Sequence, residues 1–254
     1  MPRPRRPMNA LFFRLILTLA LLGFAAGEAR ALDYRSLEEG LDYSTLQADG
    51  AKLHLLKVDL KRYHVKVLDA RDWKSPALPV KTFAEKAKAL AAINANFFDT
   101  EDRPLGLVLQ EGKLKNPPKK ISWWASLLLK GDRASIQKAF DKEQVSSWDN
   151  GVQAGPRLVV AGKTPKLKEE YSPKSAVGID RQGHLVFVVS EGSVEINRLA
   201  ALLAKKEKDG GAGLHNALNL DGGSSTQFFA KAGDLTLSIP GIARVPIALG
   251  LFRK

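Results

Sequence analysis

Two carboxylates in the sequence stand in contexts that could support acid–base chemistry. Asp221 opens a turn of two glycines and three hydroxyl residues, residues 221–226. Consecutive unhindered amides can form a nest for an anion, and hydroxyl groups add donors suited to a phosphate or a sugar. Glu191 follows the most strand-like segment and precedes a predicted helix, where a carboxylate could act as general acid or base. A plain glycine hairpin and ordinary loop polarity are the alternative interpretations of these two segments.

Two further segments carry polar residues that packing alone does not explain. Asn94 and Asn96 end an apolar segment, where amides could orient a polar ligand, although Asn is also a common turn residue. Between Gln153 and Arg157, the Gly155-Pro pair interrupts a strand-like run. Such an interruption lets the backbone approach a ligand closely, and an edge-strand bulge is the alternative.

Residues that could hold a metal are few and scattered. The chain has four histidines far apart in sequence and no cysteine, and it lacks the P-loop, zinc-protease and nucleophile-elbow motifs. Residues 99–102 resemble part of a calcium loop but lack the glycine and terminal glutamate of an EF-hand. We therefore assign no metal and no cofactor from the sequence.

The segments that must position these residues are mostly strands. Residues 52–60 and 63–69 alternate polar and apolar side chains and predict a hairpin. Thr82 and Glu85 form a capping box that predicts a helix over residues 83–91, and apolar spacing predicts a second helix over residues 195–206. Further predicted strands lie at 105–110, 126–130, 151–160, 175–179, 184–190, 216–220, 227–230 and 245–252.

The order of these segments indicates the fold class. Strands and helices do not alternate as βαβ units. The sequence therefore predicts an α+β fold, a single domain with a large mixed or antiparallel β-sheet and a few flanking helices. With no cysteine, stability must come from packing rather than from disulfides.

The N-terminal residues indicate export. Residues 1–14 carry four arginines and no acid, the apolar run 15–26 is too short to span a bilayer comfortably, and Ala29-Arg-Ala31 offers small residues for cleavage. Residues 1–31 are thus a predicted signal peptide, which leaves residues 32–254 as one periplasmic or secreted domain with no stable membrane anchor. A single N-terminal anchor is the alternative.

The charge of the chain is exaggerated by this leader. The full sequence has 39 basic and 27 acidic residues; without residues 1–31 it has 34 and 26, a formal charge of +8. This charge is spread along the chain, with no basic helix and no interleaving of aromatics with lysines, so we predict no nucleic-acid partner. Anionic envelope polymers or phosphate-bearing substrates remain compatible with it.

Taken together, five segments resemble the phosphodiester glycosidase family. They are Asn94-Ala-Asn-Phe-Phe98, Gln153-Ala-Gly-Pro156, Lys174-Ser-Ala-Val-Gly178, Leu220-Asp-Gly-Gly-Ser-Ser225 and Arg244-Val-Pro-Ile-Ala248. Their order matches the family pattern over about residues 50–254. Ala95-Asn96 replaces a glycine pair of that pattern, Lys174 stands where arginine is usual, and Ile247 replaces a common asparagine.

The resemblance implies a hydrolase that cleaves the glycosidic bond of a sugar–phosphate phosphodiester, with envelope or exopolysaccharide glycans as substrate. It implies catalytic roles for Asp221 and Glu191. The remaining expected substrate or phosphate contacts are Asn94, Asn96, Gln153, Gly155, Arg157, Lys174, Gly222, Gly223, Ser224, Ser225 and Arg244. Two alternatives stay open: a non-catalytic glycan- or partner-binding envelope protein on the same fold, and a phosphodiesterase that cuts the P–O bond.

Overall fold

The computed structural model describes Met1 and residues 31–254. The predicted signal peptide, residues 1–31, therefore lies outside the described residues except for its two ends. Within the part of the chain that the structure describes, no helix is both long enough and apolar enough to cross a membrane.

The described residues form strands joined mostly by short turns, with three α-helices. The helices are α1 (Val80–Ala87), α2 (Lys142–Val145) and α3 (Ile196–Ala204). In chain order, the strands are β1 (Arg35–Glu38), β2 (Leu41–Ala48), β3 (Ala51–Val58), β4 (Tyr63–Asp69), β5 (Ala91–Asn94), β6 (Val108–Gln110), β7 (Lys113–Asn116), β8 (Ala125–Lys130), β9 (Arg133–Gln137), β10 (Asn150–Ala154), β11 (Arg157–Val159), β12 (Tyr171–Ile179), β13 (Leu185–Glu195), β14 (Asn216–Asn219), β15 (Phe228–Ala232), β16 (Leu235–Ile239) and β17 (Ile247–Arg253).

These strands build three sheets rather than the single large sheet that the sequence predicts. A seven-stranded sheet has the order β1-β2-β3-β13-β12-β14-β11, and two five-stranded sheets have the orders β7-β6-β10-β8-β9 and β16-β15-β5-β17-β4. All of the strand pairs in these sheets are antiparallel. The predicted antiparallel strands with a few flanking helices are thus confirmed, and the number of sheets is corrected.

The main core lies between the seven-stranded sheet and the two smaller sheets. Its side chains come from all three sheets, for example Phe187 from β13, Ile93 from β5 and Leu127 from β8. The opposite face of the seven-stranded sheet is covered by α3, whose Leu199 is fully buried. A strand with both faces buried reads as a continuous apolar run, which explains the sequence of β13 between Leu185 and Val189.

The predicted hairpin of residues 52–60 and 63–69 is wrong. Its strands exist as β3 and β4, but β3 pairs with β2 and β13 while β4 pairs with β17 in another sheet. The intervening turn is closed by hydrogen bonds from Arg62 N and Tyr63 N to Asp59 O, at 3.0 and 3.1 Å. The chain therefore passes between sheets here. β3 takes an interior position of the seven-stranded sheet, where β2 and β13 occupy both of its edges, so β4 pairs elsewhere.

The helix after residue 80 begins earlier than the capping box predicts. Pro79 is the N-cap of α1 and makes no side-chain capping bond, and Thr82 lies inside the helix. The Val80 N–H instead donates to the Gln227 side-chain oxygen at 3.1 Å. The predicted helix of residues 195–206 is confirmed as α3, whose first turn is capped by the Glu195 carboxylate accepting from Arg198 N.

Candidate functional site

The turn after β14 places Asp221 where two sheets meet. The Asp221 N–H donates to Ala95 O at 2.9 Å, and the Asp221 C=O accepts from the Asn94 side chain at 2.7 Å. Asn94 ends β5 of one five-stranded sheet, whereas β14 belongs to the seven-stranded sheet. The backbone of Asp221 is therefore fixed from both sides, and only its side chain is left to interact with other groups.

Asn94 is a fully buried clamp for this turn. Its side-chain oxygen accepts from Ser175 Oγ at 2.6 Å and from Gln227 N at 3.1 Å, while its side-chain nitrogen donates to Asp221 O. The amide thus joins β5, β12 and the start of β15. The structure shows Asn94 positioning the backbone around Asp221, with its own polar atoms occupied by protein groups.

The glycine turn leaves amide donors free beside the carboxylate. Gly223–Ser225 form one turn of 3₁₀ helix, in which Ser225 N donates to Gly222 O and Thr226 N to Gly223 O. Among the described residues, the N–H groups of Gly223 and Ser224 have no hydrogen-bond acceptor. Gly223 has φ +60°, a left-handed conformation that favours glycine. This turn can therefore offer two backbone donors to an oxyanion, whereas the N–H groups of Gly222 and Ser225, which the sequence also predicts as donors, are bonded within the turn.

Partial burial raises the pKa of the Asp221 carboxyl to about 6 from its ordinary value of 3.8. Loss of hydration disfavours the charged form, while hydrogen bonds from the Ser225 side chain and the Gly222 N–H lower the pKa in part. A carboxyl with a pKa near neutrality is present in both protonation states at physiological pH. Asp221 can therefore either donate or accept a proton.

Gln153 and Asn96 hold the loops on one flank of this turn. Gln153 is fully buried, and its side chain accepts from Lys119 N at 2.8 Å and donates to Lys119 O at 2.9 Å. The Asn96 side-chain nitrogen donates to Gln153 O at 3.1 Å and to Leu107 O at 2.9 Å, and its side-chain oxygen is buried without a partner. Both amides therefore fix backbone, and Asn96 retains one free acceptor.

Lys174 is almost fully buried, with 1% of its surface exposed. Its ammonium donates to Glu170 Oε1 at 2.5 Å and to Ser172 Oγ at 2.8 Å. A Cβ placed on Gly222 would lie 3.9 Å from Lys174 Cδ, so the side chain passes close to the glycine turn. The predicted phosphate-binding cation is therefore near the turn, but its charge is already paired with a carboxylate.

Glu191 does not end its strand, contrary to the sequence prediction. β13 continues to Glu195, and its register with β12 shifts between Pro173 and Ser175. Gly192, with φ +102°, lies opposite this irregularity. The strand continues because residues 193–195 still pair with residues 171–173. Within the described residues, no hydrogen bond or ion pair joins the Glu191 side chain to Asp221.

The Glu191 carboxylate instead belongs to a partly buried polar array. Glu191 Oε2 lies 3.2 Å from His54 Nε2, and His54 Nδ1 lies 2.6 Å from the Tyr43 hydroxyl. Burial lowers the pKa of His54 and raises that of Tyr43, so both groups favour their neutral forms. In the tautomer that satisfies both contacts, Tyr43 donates to Nδ1 and Nε2–H donates to Glu191.

A surface cavity of about 330 Å³ joins Glu191 to the glycine turn. Gly223 and Thr226 line it on the side of the turn, and Glu191 and Ser190 line it on the side of β13. The Thr226 hydroxyl is buried and has no protein partner. The structure therefore brings the Glu191 residue and the segment after Asp221 to one cavity, although the two carboxyl groups do not touch.

Two predicted cationic contacts lie at the periphery. Arg157 donates from Nη2 to Asn216 Oδ1 at 2.8 Å. Burial lowers the pKa of Arg157, and its Nε has no partner in the described structure. Arg244 is exposed, on the loop whose Ile242 and Ala243 N–H groups donate to Ser224 O. No contact with Asp221 is made by either guanidinium among the described residues.

Sequence reasoning missed several polar groups at this site. His54 is separated from Glu191 by 137 positions, so no local pattern connects them, and the sequence favours a structural role for His54. Thr226 belongs to the run of hydroxyls after Asp221, which was a usable signal. No group of three or more side chains suited to a metal occurs in the described part of the chain.

The family model for phosphodiester glycosidases matches residues 87–252. This match covers more than half of the sequence, so the chain belongs to the phosphodiester glycosidase family. A comparison with curated proteins gives no match.

Solved structures agree in fold. The catalytic domain of zebrafish N-acetylglucosamine-1-phosphodiester alpha-N-acetylglucosaminidase, auto-inhibited by its pro-peptide, is similar with TM-score 0.64 and 17% identity, covering 90% of this chain and 85% of that one. A hypothetical protein from Synechocystis gives TM-score 0.63 and 18% identity, with 89% of this chain covered. This chain spans 64% of the Synechocystis chain. A protein from Burkholderia pseudomallei is similar with TM-score 0.59 and 13% identity, covering 84% of this chain and 74% of that one.

Proposed function

We propose that this chain is an exported hydrolase that cleaves the glycosidic bond of a sugar–phosphate phosphodiester in envelope or exopolysaccharide glycans. Family membership supports hydrolysis of a phosphodiester-linked sugar. The arginine-rich, then apolar N-terminal sequence supports export. Export restricts the substrate to material outside the cytoplasm, which favours glycans over nucleotides.

The observation that carries the proposal is the environment of Asp221. Its carboxyl has a pKa of about 6 and stands next to two free backbone N–H groups, those of Gly223 and Ser224. A sugar phosphodiester presents an anionic phosphate next to an electrophilic carbon, C1. The turn thus offers an acid–base group at Asp221 and anion-binding donors two and three positions later, a combination that suits this substrate.

In the proposed reaction the bond between C1 and the phosphate oxygen breaks. The phosphate monoester leaves with the bonding electron pair, and water supplies the hydroxyl that forms at C1. The leaving phosphate is already stable as an anion, so the amides of Gly223 and Ser224 assist mainly by stabilising its charge. Asp221 stabilises the positive charge at C1, or takes the proton of the attacking water.

Glu191 is the second carboxylate in this proposal. It lines the same cavity as Gly223 and is more exposed than Asp221, with 63% of its side chain accessible. The neutral His54 holds its carboxylate by donating one hydrogen bond. This arrangement gives Glu191 a fixed orientation and an exposed oxygen, as a base for water or a partner for a sugar hydroxyl would need.

The test compares Asp221→Asn with Asp132→Asn, a matched control at an exposed turn of the β8–β9 hairpin. The substrate is N-acetylglucosamine 1-phosphate esterified to methanol. Loss of a catalytic acid or base lowers the rate by ~10²–10⁴-fold, so we expect that loss for Asp221→Asn and wild-type rates for Asp132→Asn. Full activity in folded Asp221→Asn would remove Asp221 from the mechanism.

Hydrolysis in ¹⁸O-labelled water separates the glycosidase from a phosphodiesterase. Cleavage of the C1–O bond places the label on the sugar, whereas cleavage of the P–O bond places it on phosphate. Mass spectrometry of the two products distinguishes these outcomes directly. We expect the label on the sugar.

A non-catalytic glycan-binding protein is the second candidate, favoured by the pairing of Lys174. Its ammonium is held by Glu170 and Ser172 and is not free to bind a phosphate as the structure stands. Incubation with envelope polysaccharide followed by mass spectrometry distinguishes the two functions. New sugar ends would establish hydrolysis, and binding without new ends would establish the second candidate.

A further inference from the structure

An aromatic cluster lies beside the loops that flank the Asp221 turn. Trp123 is 53% exposed, whereas its neighbour Trp124 is buried. The two indole rings meet edge-on, with centroids 5.7 Å apart and planes at 89°. Phe97 supports both, at 6.1 Å from Trp123 and 5.3 Å from Trp124. The exposed indole is therefore braced by two other rings rather than free to rotate.

Gly155 is the residue that lets Trp123 lie so close to the backbone. A Cβ at position 155 would be 2.8 Å from Trp123 O, 3.0 Å from its ring and 3.1 Å from Trp124. A real side chain cannot tolerate these approaches, so the glycine of the Gln-Ala-Gly-Pro segment is required here for packing against Trp123. The close approach of backbone and ligand that the sequence suggests is filled by a protein aromatic instead.

The loop that carries Trp123 is tied down on the N-terminal side of this residue. Gln153 bonds the backbone N–H and C=O of Lys119, and Asn116 donates to Pro104 O at 3.0 Å and to Gly106 O at 2.6 Å. These hydrogen bonds order the segment before Trp123 without any ligand. Ordering before binding reduces the entropy lost when a ligand is immobilised.

The two segments that pack against Trp123, at Gly155 and at Phe97, are each linked to the segment around Asp221. Asn219, two residues before Asp221, donates from its side chain to Gly155 O at 3.2 Å. On the other flank, Asp221 N donates to Ala95 O, two residues before Phe97. Buried side-chain oxygens of Asn96 and Asn219 have no partner on this flank. Trp123 thus stands at the periphery of the candidate site, with exposed Lys119 and Lys120 before it in sequence.

We propose that Trp123 is a stacking platform for a second sugar ring, the pyranose on the far ester of the phosphodiester. The inference rests on the proposed function, since it extends that substrate beyond the phosphate. One face of a glucose-type pyranose carries several C–H groups with partial positive charge, and the face of an indole is partially negative. Lys119 and Lys120 add positive charge beside an anionic glycan. Stacking selects for a ring rather than for one sugar, so the platform sets substrate length.

The test uses two phosphodiesters of N-acetylglucosamine 1-phosphate, one esterified to methanol and one to maltose. Trp123→Ala should raise KM for the maltose diester about tenfold, a typical scale for one lost aromatic contact, and should change KM for the methyl diester less than twofold. Trp123→Phe should recover most of the difference. Leu114→Ala, which truncates an exposed apolar residue of β7 before the same loop, should leave KM unchanged for both diesters.

A binding measurement separates failure of this proposal from failure of the proposed function. Calorimetry with Asp221→Asn protein and the maltose diester should show about tenfold weaker binding when Trp123→Ala is added, whether or not the wild type cleaves the diester. Equal affinity with and without Trp123, or an equal KM change for both diesters, would overturn the platform. Absence of cleavage by the wild-type protein would overturn only the proposed hydrolysis, and the binding result would still decide the platform.

Discussion

Replacing Asp221 with asparagine should destabilise the folded protein at low pH and stabilise it at high pH. The carboxyl has a pKa of about 6 in the folded protein and ~3.9 in an unfolded chain. A raised folded-state pKa means that the folded protein binds the extra proton between these values. The contribution of this bound proton to the free energy of unfolding is therefore fully present below pH ~4 and is lost as pH rises through 6.

The size of this effect follows from the two pKa values. One proton per molecule changes the free energy of unfolding by ~1.4 kcal/mol per pH unit, so the wild type loses ~3 kcal/mol between pH ~4 and above 6. Asparagine does not titrate, but it accepts one fewer hydrogen bond from Ser225 or Gly222, which costs ~1 kcal/mol. Asp221→Asn should thus be ~1 kcal/mol less stable at pH 4 and ~2 kcal/mol more stable at pH 8.

Urea denaturation of residues 32–254 at pH 4, 6 and 8 measures this difference, with Asp132→Asn as the exposed control. At pH 8 the gain corresponds to roughly 4–8 °C in Tm for a domain of this size. The same variant should be inactive, so stability and activity would change in opposite directions. A stability difference that stays constant across the three pH values would refute the assignment of a raised pKa to Asp221.

Substitutions at three further positions test the site and the packing around it. Asn94→Ala leaves Asp221 O, Ser175 and the Gln227 N–H without their buried partner, and should cost ~2–4 kcal/mol in urea denaturation; a loss under ~1 kcal/mol would contradict its role as a clamp. Gly178→Ala would place a Cβ 2.3 Å from buried Leu214 and should lower stability by ~1–3 kcal/mol, measured as Tm with unchanged kcat at a temperature where it is folded. His54→Leu removes the donor to Glu191 and should lower kcat about tenfold, with His54→Gln recovering part of it; equal rates for the two variants would show that the hydrogen bond is not used.

Local patterns in the sequence predicted most strands but not their partners. β13 and α3 stand out because a long apolar run and a 3.6-residue spacing are local properties. The pairing of β3 with β4 was wrong because the residues of a strand show that it is a strand but not which strands occupy its edges, here β2 and β13. The capping box at Thr82 failed since Pro79 and the distant side chain of Gln227 fix the start of α1, and no local signal reports a contact across 147 positions.

The candidate site was predicted in composition better than in geometry. The segments around Asn94, Gln153 and Asp221 do meet, and the free amides follow the predicted glycine turn. The sequence could not show that the amides of Asn94 and Gln153 are turned toward backbone, because a buried asparagine and a ligand-binding one have the same letter. It also could not show that Lys174 is paired with Glu170, although the spacing of four residues was visible.

The hydrogen bonds of Asn94 divide the site into a turn whose conformation is fixed and surface segments that can vary between related proteins. Because one side chain ties strands of two different sheets to the Asp221 turn, the turn cannot open without parting those sheets. The Asp221 N–H, which donates to Ala95 O, should therefore exchange with solvent only on global unfolding. The loop of Trp123 and the exposed segment at Ile242 lie at the surface and are not part of the clamped structure formed by the Asp221 turn, β5 and β12. Under the proposed function, substrate range could therefore diverge between related proteins through these two segments while the Asp221 turn is inherited unaltered.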